Sequence, residues 1–298
     1  MRILILKGGA LGDFIVTLPA LRLLRERWPE AHIELVGNSR AGELGILGGY
    51  LNAVHNERDV RWMPLFSQEK LPSPLAEWFE GFDLVINFSP DPDGAMRSHF
   101  THRGTTYVSC DCSRPSTPAA KNYCDALSSL GLRTTDYIAR IQLPETVKQE
   151  AAQRIGSFHD FVAIHTGSGS SSKNWPAERW AELSLRQHLP VLAITGEAER
   201  ADSMVNWPED LFVQRAHHWP LPRLAGALLR ARRYLGHDTG ITHLAAALGV
   251  TTVALFGPTD PAIWAPQGPN VFVIKKGSAM RDISVDDVFF AIAEIREA

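Results

Sequence analysis

Short, largely apolar runs alternate with longer stretches whose apolar residues recur every three to four positions. In the first half the runs are Ile3–Lys7, His32–Val36, Leu84–Asn87 and Thr106–Ser109. Runs of this length and content read as strands covered on both faces. Between them, Asp13–Arg27 and Ala119–Leu130 carry helical spacing. The rhythm restarts after residue 150, with strands predicted at Phe161–His165, Val191–Thr195, Arg233–Gly236, Thr252–Leu255 and Val271–Ile274. Helices are predicted at Ala177–Gln187, Glu197–Val205, Leu221–Ala231 and Gly240–Leu248, with a last one at Val285–Arg296 that packs onto either half. This alternation predicts an α/β protein of two doubly wound halves, each a parallel sheet with helices on both faces. The joint is placed in Thr134–Thr146, which lacks periodicity and contains Pro144, giving domains of residues 1–145 and 146–298. A chain of 298 residues suits about two domains.

Composition changes this picture little. Apolar residues make up 45% and charged residues 21%, a globular balance. The formal net charge of -3 gives no basic footprint for nucleic acid. No apolar run approaches the roughly 18 residues that span a bilayer. The apolar stretch at Met1–Lys7 is too short for a signal sequence and leads straight into Gly8-Gly9, so it reads as a first buried strand and a cytoplasmic protein is expected. Cys110, Cys112 and Cys124 are odd in number and lack framework spacing, which points to free thiols in a reducing compartment. Cys110-x-Cys112 has no second ligand pair nearby, and no metal is expected.

In open α/β sheets ligands gather beyond the carboxyl ends of strands, so the loops that follow strands carry the candidate chemistry. The first is Lys7-Gly8-Gly9-Ala10-Leu11-Gly12-Asp13. Its glycines Gly8, Gly9 and Gly12 allow tight turns and close approach of a ligand, but it fits neither the Walker A pattern nor G-x-G-x-x-G. Asp13 opens the next helix. There a carboxylate is either a helix-terminal charge worth about 0.3–1 kcal/mol or a general base for an acceptor hydroxyl.

The second is His165-Thr166-Gly167-Ser168-Gly169-Ser170-Ser171-Ser172-Lys173-Asn174-Trp175-Pro176. Hydroxyls at Thr166 and Ser168, backbone N–H groups and the Lys173 ammonium suit phosphate oxygens, against the alternative of a solvent loop with an incidental lysine. The third is His237-Asp238-Thr239-Gly240-Ile241-Thr242-His243, where a helix start at Gly240 would offer N–H groups to a diphosphate. Thr239 is placed to cap that helix and bond a phosphate. Asp238 suits sugar hydroxyls or an N-cap, and His243 lies on the first turn. Glu197, after the strand Val191–Thr195, could take a ribose diol, and Phe256-Gly257-Pro258-Thr259-Asp260-Pro261 is either a further wall or an ordinary turn.

Taken together, these loops resemble glycosyltransferase family 9, the ADP-heptose:lipopolysaccharide heptosyltransferases. The resemblance rests on Lys7–Asp13 with Thr17-Leu18-Pro19-Ala20-Leu21, Lys173-Asn174-Trp175-Pro176 with Trp180-Ala181-Glu182-Leu183, Asp238-Thr239-Gly240-Ile241-Thr242-His243-Leu244, and Phe256–Pro261. Each is weak alone, but their order and spacing are specific and cover most of the chain. The resemblance implies a GT-B fold, with two Rossmann-like domains facing across a cleft. It implies inverting, metal-independent transfer of heptose from ADP-heptose to a sugar hydroxyl, with no cofactor.

It also implies residue roles: Asp13 as base, Lys173 and Thr166 at the donor phosphates, and Glu197 at the ribose. Asp238, Thr239 and Gly240 hold the donor sugar and diphosphate, with His243 close by. The middle of the first half matches least, although it should carry the acceptor site. Arg97, His99, His102, Arg103, Arg114 and Lys121 are candidates there for a basic patch facing a glycolipid or saccharide acceptor, or else are solvated loop charges. A glycolipid acceptor makes peripheral contact with the inner membrane an expectation. The alternatives are a same-fold transferase using another nucleotide-sugar and a donor-binding module without acceptor chemistry. A Rossmann oxidoreductase is disfavoured by the missing G-x-G-x-x-G.

Overall fold

The computed structural model describes residues 1–100, 104–110, 117–196 and 205–295. The chain divides into two compact units, Met1–Gln142 and Leu143–Ala298. The first holds β1 (Arg2–Lys7), β2 (His32–Gly37), β3 (Ala53–Asn56), β4 (Leu84–Asn87) and β5 (Thr106–Ser109). They form one sheet in the order β3-β2-β1-β4-β5, all parallel. β1 is central, and Ile3, Leu4 and Ile5 are buried because both faces are covered. On one face Leu4, Leu6 and Val85 meet an aromatic cluster of Trp62, Phe79, Phe82 and Phe100.

The second unit holds β6 (Val162–His165), β7 (Val191–Thr195), β8 (Val213–His217), β9 (Arg233–His237), β10 (Thr252–Phe256) and β11 (Val271–Lys275). Their order, β11-β10-β9-β6-β7-β8, is the doubly wound order 3-2-1-4-5-6 read from the other side, and it is all parallel. The direction in which successive strands are added reverses between β6 and β9, so the switch point lies between His165 and His237. In the first unit the same reversal falls between β1 and β4.

The structure departs from the sequence reading at several places. Asp13–Arg27 is not one helix but two, Leu11–Ile15 and Leu18–Arg27. Pro19, which has no N–H to continue the first helix, falls in the opening turn of the second. Strands β3 and β8 were not foreseen, nor was the helix Glu145–Ile155. Ala119–Leu130 starts as α-helix at Ala120–Ala126 and tightens to 3₁₀ over Leu127–Leu130. The final helix, Val285–Glu294, packs against Ala177–Gln187 within the second unit, burying Val288 and Ile292 beside Trp180 and Leu183. The predicted helix Glu197–Val205 falls largely outside the described residues.

Candidate functional site

The two strands that flank the second unit's switch point deliver a polar cluster. β6 ends at His165 and runs into Thr166, both buried. The loop then crosses Ser168, makes one 3₁₀ turn at Ser171–Lys173 and is anchored by Trp175. Trp175 is 2% exposed and stacks edge-on against Trp180 with ring centroids 4.8 Å apart. Its Nε1 donates to the Ile283 carbonyl at 2.8 Å, and its backbone N–H donates to His237 Nε2 at 2.8 Å. A buried indole thus fixes the chain two residues after Lys173, and the lysine reaches back over the sheet edge.

Lys173 Nζ meets Asp238 Oδ2 at 2.8 Å, with the lysine side chain 31% exposed and the aspartate 10%. The ammonium keeps an open side, while the carboxylate beneath it is nearly enclosed. Asp238 follows β9 directly and precedes Thr239, the N-cap of the helix Gly240–Ala247. Contrary to expectation, the Thr239 side chain does not cap that helix. Its Oγ1 lies 3.2 Å from His165 Nδ1 and 3.3 Å from Thr242 Oγ1. Thr242 in turn donates to the His237 carbonyl and lies 3.0 Å from the Tyr234 hydroxyl. A chain of hydroxyls therefore runs beneath the loop and leaves the helix start without a side-chain cap. Gly236 makes room for it, since a Cβ there would sit 2.2 Å from the Tyr234 hydroxyl.

Like Thr242 and Tyr234 beside it, His237 is fully buried. Burial, helped by neighbouring His165, pushes its pKa from 6.5 down to about 3. The ring is therefore neutral, with Nε2 accepting from Trp175. Nδ1, left to carry the proton, has no partner at hydrogen-bond geometry among the described residues, although the Gly167 backbone acts on it. Sequence reasoning passed over His165, His237, Tyr234 and Thr242. The available signal was a histidine at the end of each of the two strands that flank the switch point.

The other calls on this unit fall out as follows. The Ser168 hydroxyl lies 2.7 Å from both the Ser170 carbonyl and Asn174 Oδ1, so it ties the loop to itself. His243 is buried in the first turn of its helix. Asp260 caps the short helix Pro261–Trp264 through Ala262 N–H at 2.9 Å, and Lys275 Nζ holds the carbonyls of Gly257 and Thr259 at 2.7 and 2.8 Å. Phe256–Pro261 is thus a capped, lysine-tied turn. Glu197 lies outside the described residues; Thr195 Oγ1 and His217 Nδ1, 2.9 Å apart, mark the ends of β7 and β8.

In the first unit, the loop after β1 is held from three strand ends. Gly8 N–H donates to Ser89 Oγ at 3.2 Å, Gly9 N–H to Glu57 Oε2 at 3.3 Å, and Asn38 Nδ2 to the Gly9 carbonyl at 3.0 Å. Asp13 Oδ2 accepts from Ala10 N–H at 2.9 Å, folding the carboxylate back over the loop. Gly12 precedes Asp13 in the same short helix. The proposed basic patch is not assembled among the described residues. His99 is buried, with Nε2 2.8 Å from the Ser67 carbonyl, and Lys121 is paired with Asp125. Arg97 is exposed and donates to Ser109 Oγ at 3.1 Å. His102, Arg103 and Arg114 lie outside the described residues, as does Cys112. Cys110 and Cys124 are buried, and burial pushes the Cys124 thiol up to about 12. Among the described residues no helix is long and apolar enough to cross a membrane.

Known proteins resemble the chain along nearly its whole length. Lipopolysaccharide heptosyltransferase 1 of Pseudomonas aeruginosa is 29% identical, across 90% of this chain and 82% of that one. The crystal structure of a family 9 glycosyl transferase from Veillonella parvula superposes with a TM-score of 0.77 at 22% identity, covering 98% of this chain and 96% of that one. The E. coli heptosyltransferase WaaC, solved with ADP-2-deoxy-2-fluoro heptose, gives 0.73 at 19% identity, covering 99% of both chains. These superpositions show the same two-unit fold, the GT-B arrangement of Rossmann-like sheets. The sequence model described as Glycosyltransferase family 9 (heptosyltransferase) matches residues 102–287, and the chain belongs to that family.

Proposed function

We propose that this protein transfers a heptose from ADP-heptose to a sugar hydroxyl of a lipopolysaccharide-type acceptor, with inversion and without a divalent metal. The observation that carries the reading is the Lys173–Asp238 pair beside the uncapped helix start at Gly240, at the switch point of the second sheet. A diphosphate needs cationic and N–H partners, and a donor sugar needs a fixed acceptor for its hydroxyls. This corner supplies both.

In the proposed reaction, Asp13 accepts the proton of the acceptor hydroxyl as its oxygen attacks the anomeric carbon. The bond from that carbon to the ADP oxygen breaks through an oxocarbenium-like transition state. ADP leaves with the bonding pair, met by Lys173, Thr166, Thr239 and the N–H groups at Gly240. Preorganised donors of this kind supply a few kcal/mol each. Asp238 holds Lys173 in place and accepts from heptose hydroxyls, Glu197 takes the ribose diol, and His243 stands behind the diphosphate. Ser168 keeps the loop closed on itself. The first unit is the acceptor domain, with Gly8, Gly9 and Gly12 lining the acceptor-side loop and Arg97 and Arg103 contacting its charged groups.

Peripheral contact with the cytoplasmic face of the inner membrane belongs to the same reading, because the acceptor is lipid-borne. It is supported by Val60, Met63 and Phe66, which are 74%, 70% and 65% exposed. They stand three apart on the 3₁₀ helix Val60–Phe66, where residues at i and i+3 eclipse into one ridge. Arg58, Asp59, Arg61, Glu69 and Lys70 are exposed within or next to it in the chain, with Arg61 paired to Asp59.

A thermal-shift panel tests the donor. ADP and ADP-heptose should raise the unfolding midpoint, whereas UDP- and GDP-sugars and NAD(P) should not. Stabilisation by a UDP- or GDP-sugar alone would favour a same-fold transferase with another donor.

A further inference from the structure

The loop that carries Asp13 contains two adjacent glycines, and Gly9 has φ +114°, a conformation open to glycine. Such a segment is intrinsically loose, yet a general base must be held close to its productive geometry. Glu57 answers this need. It follows β3 at the same sheet edge, and its own N–H is tied to the Gly37 carbonyl at 2.9 Å. Its carboxylate reaches under the loop to the Gly9 N–H at 3.3 Å. The approach is so close that a Cβ on Gly8 would sit 2.4 Å from Glu57 Oε2, so Gly8 and Glu57 depend on one another. The next N–H along, that of Ala10, is the one Asp13 accepts.

We propose that Glu57 is a positioning residue for the transfer reaction: by holding the Gly9 N–H it fixes the turn from which Asp13 is presented. This rests on the reading of Asp13 as the base. The hydrogen bond is long at 3.3 Å, but the full charge on its acceptor adds to it, and it restrains a turn that the two glycines leave free. Glu57 acts through the loop and takes no proton itself. Its partner atom is the Gly9 nitrogen, while the acceptor's proton goes to Asp13.

The experiment compares Glu57→Ala, Glu57→Gln, Gly8→Ala and Asp13→Asn in the full-length protein. Transfer from ADP-heptose and hydrogen exchange at the Gly9 amide are both read. Glu57→Ala should lower kcat roughly 10- to 100-fold, on the scale of a misplaced catalytic group, with the donor KM and ADP affinity unchanged. Glu57→Gln keeps an amide oxygen for the Gly9 N–H and should retain transfer within about threefold of wild type, the loss expected from a weaker neutral hydrogen bond. Gly8→Ala should copy Glu57→Ala, because its methyl expels the carboxylate. Gly9 amide exchange should quicken in Glu57→Ala and Gly8→Ala but not in Glu57→Gln.

The proposal is overturned if Glu57→Ala transfers at the wild-type rate, if Glu57→Gln is as impaired as Glu57→Ala, or if Gly9 exchange is unmoved. Active Asp13→Asn would instead remove the base assignment. In that case the exchange data still decide whether Glu57 holds the loop.

Discussion

Acid should loosen the second unit through His237, and the size of the effect follows from its burial. The ring is fully enclosed, its Nε2 accepts the Trp175 N–H, and its pKa is pushed from 6.5 down to about 3. The unfolded chain therefore binds a proton below about pH 6.5 that the folded chain refuses until about pH 3. Stability from this residue is complete above pH 6.5 and declines as pH falls toward 3. The slope approaches about 1.4 kcal/mol per pH unit, so between about pH 7.5 and about pH 5 the loss is about 2 kcal/mol.

His237→Gln keeps an acceptor for Trp175 and removes the titration. The assay is urea unfolding of the full chain at the two pH values, following the transition that His237→Gln itself displaces at the higher pH. All other groups are common to both proteins, so the difference isolates His237. Wild type should lose about 2 kcal/mol more than the variant on acidification. Equal losses would show that His237 is not held neutral by burial, and the description of the donor corner's foundation would be wrong.

Lys173→Ala should weaken ADP binding about 10- to 100-fold by calorimetry, the value of one charge-assisted contact, while Asp238 loses its partner. Unchanged affinity would remove the lysine from the phosphate site. Gly236→Ala places a methyl against the Tyr234 hydroxyl and should cost about 1–3 kcal/mol in denaturant unfolding. An unmoved midpoint would mean that Tyr234 and Thr242 are not locked as described. Replacing Met63 and Phe66 together by Ser should lower co-sedimentation with vesicles of phosphatidylethanolamine and phosphatidylglycerol by at least about tenfold, since each buried side chain is worth roughly 1.5–3 kcal/mol. Equal sedimentation would exclude the ridge as the contact.

Much of the fold was legible in the sequence because its central strands are buried on both faces. β1, β4, β6, β7, β9 and β10 are interior strands with dense apolar runs, and each was foreseen within a residue or so at either end. The two strands missed, β3 and β8, are sheet edges with mixed sequences, Ala53-Val54-His55-Asn56 and Val213-Gln214-Arg215-Ala216-His217. An edge strand needs less apolar cover, so its pattern fades into the loops. The omission carried a cost at the sites, because Glu57 follows β3 and His217 ends β8.

The residues of the proposed donor corner stand out as motifs: Lys173, Asp238 and Thr239 are named from the sequence, and the structure brings them to one sheet edge. What spacing along the chain could not show was how the corner is supported. Trp175 bonding His237, and Tyr234 reaching Thr242 past Gly236, tie a loop and a helix to the strand β9, and only the folded chain reveals them. Two of the six candidate basic residues have partners that spacing does not show: His99 is buried against Ser67, and Lys121 is paired within its own helix.

The most direct test of heptose transfer is mass spectrometry of a heptose-free lipopolysaccharide acceptor incubated with the purified protein and ADP-heptose in EDTA. The account predicts an acceptor heavier by one heptosyl unit with matching release of ADP, and no product with Asp13→Asn. An unmodified acceptor with ADP-heptose, alongside turnover of a UDP- or GDP-sugar, would contradict it.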